Sequence, residues 1–148
     1  MANFRYARGR IPESVDFITR EMAEFDHDYK DRTWKDYQQD SKLQKLMDRT
    51  VENILTALIE VSGTVLVEEG IKGDSYQDIL MKVGELFSFS DKDRKLFAEL
   101  SIQRNRLAHR YLNYRWQAIR AYKEASDIIK KFLLLVIERE KGRGKSNS

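Results

Sequence analysis

From about Leu43 to Glu68 the chain sets Leu46, Met47, Val51, Ile54, Leu55, Leu58, Ile59, Ser62 and then Val65 or Leu66 at intervals of three and four. That spacing places them on one side of a long helix, and Gly70 and Gly73 follow as stop signals. A long helix with one apolar side requires partners, and the rest of the chain supplies more of the same pattern. Val15, Phe17, Ile18, Met22 and Phe25 recur at helical spacing behind Pro12, a residue favoured at a helix start, and this first helix is expected to end near Tyr29. The polar stretch after Tyr29, with Trp34 and Tyr37 in it, reads as a loop or an irregular helical connection. Asp74 or Ser75 caps a shorter helix bearing Ile79, Leu80, Val83, Leu86 and Phe87, and Ser90 or Asp91 caps a fourth. A fifth is expected over about Gln117–Glu140, with Ile119, Tyr122, Ala125, Ile128, Ile129, Phe132, Leu133 and Val136 as its stripe.

These segments predict an all-α protein, an up-and-down bundle of four to five helices. Charged residues make up 34% of the 148 and there is one proline, as suits helix surfaces rather than strands and turns. The expected organisation is a basic N-terminal arm over residues 1–10, a helical bundle over 11–140 and a flexible basic tail over 141–148. The absence of cysteine excludes disulfides, a thiolate nucleophile and thiolate-held metal. No apolar signal core follows the basic start, and the run FLLLVI at Phe132–Ile137 is too short to span a bilayer, so a cytoplasmic chain is expected, away from the membrane. The fragment around His27, Asp26 and Asp28 is too short to specify a metal site, so neither a metal nor another cofactor is expected.

The chemistry is concentrated in RNRLAHRY, Arg104–Tyr111. On a continuous fourth helix, Leu96, Phe97, Leu100, Leu107 and Ala108 lie within about 80° of Arg104, Tyr111 lies about 20° from it, and His109 about 140° away. A guanidinium on such a stripe needs a carboxylate partner, for which Glu52, Glu60 and Glu85 are the choices, or a polar cleft. Arg104 offers a bidentate phosphate clamp, Asn105 an amide, and His109 a side chain that exchanges protons near neutral pH. Phosphate binding with proton transfer suits RNA cleavage by the ribose 2′-hydroxyl, where a base takes the hydroxyl proton, an acid protonates the leaving 5′-oxygen and a cation steadies the phosphorane. One histidine does not serve as both acid and base in one step; a two-fold homodimer would bring two copies of Arg104 and His109 into one cleft.

The motif Arg104-Asn105-x2-Ala108-His109-x-Tyr111, Arg-x4-His-x-Tyr with Asn after the Arg, resembles that of HEPN-domain toxins of the HepT type, and the helical layout is similar over about residues 11–138. The resemblance implies a homodimeric, metal-independent endoribonuclease with Arg104 and His109 catalytic and Asn105 supporting. It implies also a separately encoded antitoxin, a minimal nucleotidyltransferase (MNT) that transfers AMP to the motif tyrosine, here Tyr111. Two other readings compete with this one: a non-catalytic subunit presenting a nucleotide or substrate to a nucleotidyltransferase, and a purely structural bundle in which Tyr111 is a core residue.

Overall fold

The computed structural model describes residues 10–146, with side chains to Arg143. The arm expected over residues 1–10 therefore lies outside the described residues except for Arg10, as do the last two residues of the tail. Among the described residues there are seven α-helices and no strand: α1 (Ile11–Asp28), α2 (Trp34–Gln39), α3 (Ser41–Glu68), α4 (Tyr76–Leu86), α5 (Asp91–Ala98), α6 (Leu100–Arg106) and α7 (Leu112–Ser146). The all-α bundle is as expected, and each departure from the expected helix list has a local cause.

The connection after Tyr29 contains a helix because Thr33 and Asp36 form a capping box: Thr33 Oγ1 accepts from Asp36 N at 3.2 Å, and Asp36 Oδ2 accepts from Thr33 N at 3.0 Å. The expected fourth helix divides at Glu99. There Ser101 Oγ donates to the Ala98 carbonyl at 3.0 Å, and Ile102 N turns to the Glu99 carbonyl, three residues back, at 3.0 Å. The last helix is longer at both ends than the expected Gln117–Glu140, since LNYRW lies inside it and it continues to Ser146. Helix α7 thus enters the span expected as a tail over 141–148. Arg139 donates to Glu68 and Glu69, both at 3.1 Å, and Arg143 donates to Glu68, so that last described stretch is pinned to the end of α3.

Helix α3 is the central element. Its end is a Schellman motif, with Gly70 at φ 70°, its N–H donating to Val67 O at 3.1 Å and Ile71 N donating to Leu66 O at 2.8 Å. It is long and apolar enough to cross a bilayer by composition, yet 72% of that apolar window is buried inside the bundle, the position of a core helix. Around it pack Val15, Ile18, Met22 and Phe25 of α1, Leu80 and Val83 of α4, Phe97 of α5 and the whole predicted stripe of α7. Leu46, placed on the α3 stripe by spacing, is exposed, and Thr50 is buried in its stead, its hydroxyl bonded back to Leu46 O.

Among the described residues three buried polar atoms have no hydrogen-bond partner, Ser62 Oγ, Arg115 Nε and the Tyr122 hydroxyl, of which the last sits on one of the largest side chains in the core. Tyr122 is fully buried, its ring meets Phe25 edge-on at 4.9 Å, and its hydroxyl has no partner. Burial pushes the Tyr122 hydroxyl far above the ordinary phenol range, so it stays neutral. An orphaned hydroxyl costs desolvation with no compensating bond. Tyr122→Phe is expected to raise stability by about 1 kcal/mol; a urea midpoint at or below that of the wild type would show that the hydroxyl is satisfied.

Candidate active site

Arg104 stands in the last turn of α6 and reaches back to α3 and α4. Its Nε donates to Thr56 Oγ1 at 2.8 Å, and its guanidinium carbon lies 5.8 Å from the centre of the Tyr76 ring. Neither Glu52 nor Glu85 forms an ion pair with it among the described residues, and the hydrogen bond its side chain makes there is that of Nε. The second option for a cation on a core stripe, a polar cleft, is the one realised. An open cleft of about 520 Å³ between α1 and α3 is lined by Arg104 together with Glu13, Phe17, Glu52, Asn53 and Thr56. Thr56 holds the inner nitrogen, and among the described residues the outer fork makes no hydrogen bond, which leaves it the part of a guanidinium that takes a phosphate bidentately. Asn105, the next residue, is exposed.

The core stripe continues only as far as Leu107, which is buried. Beyond it Ala108 N and His109 N bond to carbonyls three residues back, at 3.1 Å each, and the helix tightens into a turn. Tyr111 then accepts the first hydrogen bond of α7, from Arg115 N at 3.3 Å. Two expectations fail here. Ala108 is exposed, and Tyr111 is 60% exposed rather than on the Arg104 stripe. The angular count assumed one unbroken helix, and the chain leaves that helix after Arg106. A core tyrosine is thereby excluded at position 111.

His109 and Tyr111 instead share a neighbour that sequence reasoning passed over. The Tyr114 ring lies 5.3 Å from the His109 ring at 60° and 6.0 Å from the Tyr111 ring at 77°. The structure thus gives two groups of contacts, Arg104 with Thr56 and Tyr76, and Tyr114 with His109 and Tyr111. The signal for Tyr114 was present as a third aromatic one turn beyond Tyr111. The second histidine, His27, stands exposed at the end of α1 beside Asp28, 2.6 Å away, whose hydrogen bond and charge raise its pKa.

What holds the 107–111 turn in place is a buried junction. Arg115 Nη1 donates to Asp48 Oδ2 at 2.6 Å and the Tyr37 hydroxyl donates to Asp48 Oδ1 at 2.6 Å, tying α7, α3 and α2 together. The Arg115 and Asp48 side chains are only 17% and 12% exposed. Trp116 packs 5.1 Å from Tyr37 and 5.8 Å from Trp34, which closes the junction from outside. Burial pushes the Asp48 carboxyl upward, against the downward pull of Tyr37 and Arg115. Burial and the bond to Asp48 also push the Tyr37 hydroxyl well up, so it remains a donor.

Comparison with known families closes this description. The family model described as Ribonuclease HepT-like matches residues 18–138, a span that takes in Asp48, Thr56, Tyr76 and the whole of Arg104–Trp116. No curated protein matches the chain.

Removing one partner from a buried ion pair leaves an uncompensated charge. Asp48→Ala is therefore expected to cost about 3–5 kcal/mol, while Tyr37→Phe, which removes one hydrogen bond and leaves the pair intact, costs about 1–2 kcal/mol. Chemical denaturation of the two variants checks this, and equal losses would show that the ion pair is not the dominant link.

Proposed function

We propose that this chain, which belongs to the HepT-like ribonuclease family, is the toxin of a two-component system and cleaves RNA through Arg104 and His109. The observation that carries the reading is the state of Arg104: a half-buried guanidinium held at Nε, in an ion pair with neither Glu52 nor Glu85 among the described residues, presenting its outer fork to an open cleft. A structural arginine in that position would be neutralised.

In the reaction, the ribose 2′-oxygen attacks the adjacent phosphorus, forming a 2′-O–P bond, while the P–O5′ bond breaks. The products are a 2′,3′-cyclic phosphate and a 5′-hydroxyl. One imidazole accepts the 2′-hydroxyl proton, a second donates a proton to the departing O5′, and the guanidinium fork binds the non-bridging oxygens as their charge grows. A two-fold dimer would bring both groups from both chains into one cleft and so supply the second imidazole that the reaction needs. Asn105, exposed beside Arg104, supplies an amide at the same rim.

Control falls to Tyr111. A partner MNT-type nucleotidyltransferase transfers AMP from ATP: the Tyr111 oxygen attacks the α-phosphorus and pyrophosphate leaves. The exposure of Tyr111 supports this, because an acceptor hydroxyl has to enter another enzyme's site. The adduct, through Tyr114, would crowd His109 of its own protomer rather than Arg104, which lies on the other group.

Arg104→Ala and His109→Ala are each expected to lower RNA cleavage by at least about 100-fold and to abolish growth arrest on expression, with the fold and oligomeric state unchanged. Intact-mass measurement of the chain co-expressed with its neighbouring gene product is expected to show added AMP that maps to Tyr111. Intact RNA with the wild-type chain, alongside a stable complex and no adduct, would favour instead a non-catalytic subunit of a nucleotidyltransferase complex.

A further inference from the structure

We propose that Tyr114 is a base-stacking shelf, on which an unstacked nucleobase of the RNA rests beside the His109 imidazole. The inference rests on the ribonuclease reading and assigns to that site a substrate-binding residue outside the Arg-x4-His-x-Tyr motif.

The placement of the ring is the first ground. Tyr37 and Tyr122 show where packing tyrosines of this chain go, since both are fully buried. Tyr114 is 44% exposed, though it sits on the first turn of a long helix and directly before two residues anchored in the bundle's edge. Its neighbour Arg115 is tied to Asp48, and Trp116 fills the space against Trp34 and Tyr37. The ring is thus presented on a rigid support with much of its surface open, and its inner edge touches His109 and Tyr111.

Charge is the second ground, and it selects the occupant. The whole chain carries a formal charge of only +3, but from Glu99 to Glu124 no aspartate or glutamate intervenes, while Arg106, Arg110 and Arg120 fall in that interval besides Arg104 and Arg115. Arg110, next to Tyr111, is exposed. An aromatic surface beside the exposed Arg110, in a stretch with no acidic residue of its own, matches a strand of phosphates with bases turned out better than an acidic or apolar protein face. The chemistry asks for the same feature. Attack by a 2′-oxygen in line with the leaving O5′ needs a nucleotide released from regular helical stacking, and a shelf adjoining the proton-transfer group holds one in that state. The same ring lies one helical turn from Tyr111, so the adenine of an AMP adduct there would occupy it and exclude substrate.

The test uses the full-length chain and short, fluorescently labelled single-stranded RNA that is 2′-O-methylated throughout, which has no attacking hydroxyl and stays intact. Tyr114→Phe is expected to bind as the wild type does. Tyr114→Leu, which keeps apolar bulk and loses the π-face, is expected to bind roughly tenfold or more weakly, with an unchanged salt dependence. Arg110→Gln is expected to reduce the salt slope by about one phosphate contact. Wild-type affinity in Tyr114→Leu, with its circular dichroism unchanged, overturns the shelf and leaves the ribonuclease reading standing. So does a Tyr114→Leu enzyme with lowered kcat and unaltered RNA affinity, which would make Tyr114 a prop for His109 alone. A wild-type chain that neither binds this RNA nor cleaves its unmethylated form overturns the ribonuclease reading and this proposal with it.

Discussion

The buried contact of Asp48 with Arg115 and Tyr37 decides where the last helix begins, and the geometry of the candidate site follows from that position. A carboxylate in the apolar face of α3 cannot be left alone. Satisfying it draws in the first turn of α7 and the short helix α2, with Trp116 and Trp34 sealing the junction. Once Arg115 is fixed, the five residues between α6 and α7 have to form a turn. Leu107 stays in the core, and His109, Arg110 and Tyr111 are carried to the surface. A polar junction that stabilises the bundle therefore also sets the exposure of the candidate site residues.

The division of Arg104 from His109 has the same origin. Arg104 belongs to the ordered end of α6, where Thr56 and Tyr76 orient it, and His109 belongs to the turn. In the proposed reaction each chain of a two-fold dimer supplies both groups to one cleft. Tyr114 lies beside both His109 and Tyr111, so the proposed modification of Tyr111 would act on access to the imidazole.

Overall charge is a poor guide to this surface. The near balance of acids and bases over 148 residues averages an acidic stretch such as that around Asp26 with an interval between Glu99 and Glu124 that holds no acidic residue.

The sequence by itself determined the helices and most of the core, because hydrophobic spacing, capping residues and glycine stops are local signals. Ser75 and Ser90 cap where expected, Gly70 closes α3, and the α7 stripe from Ile119 to Val136 is buried throughout. The motif at Arg104–Tyr111 was legible for the same reason, being contiguous. What the sequence did not carry was whether α6 continues into the motif, since the residues that end it are 59 or more positions away from Asp48 and still further from Tyr37 in the chain. Only the tertiary structure decided that Tyr111 is exposed, that Thr56 and Tyr76 orient Arg104, and that Tyr114 adjoins His109. Each is a contact between separate elements, and helical periodicity describes the faces of a helix without saying which neighbour meets them or where the helix must stop.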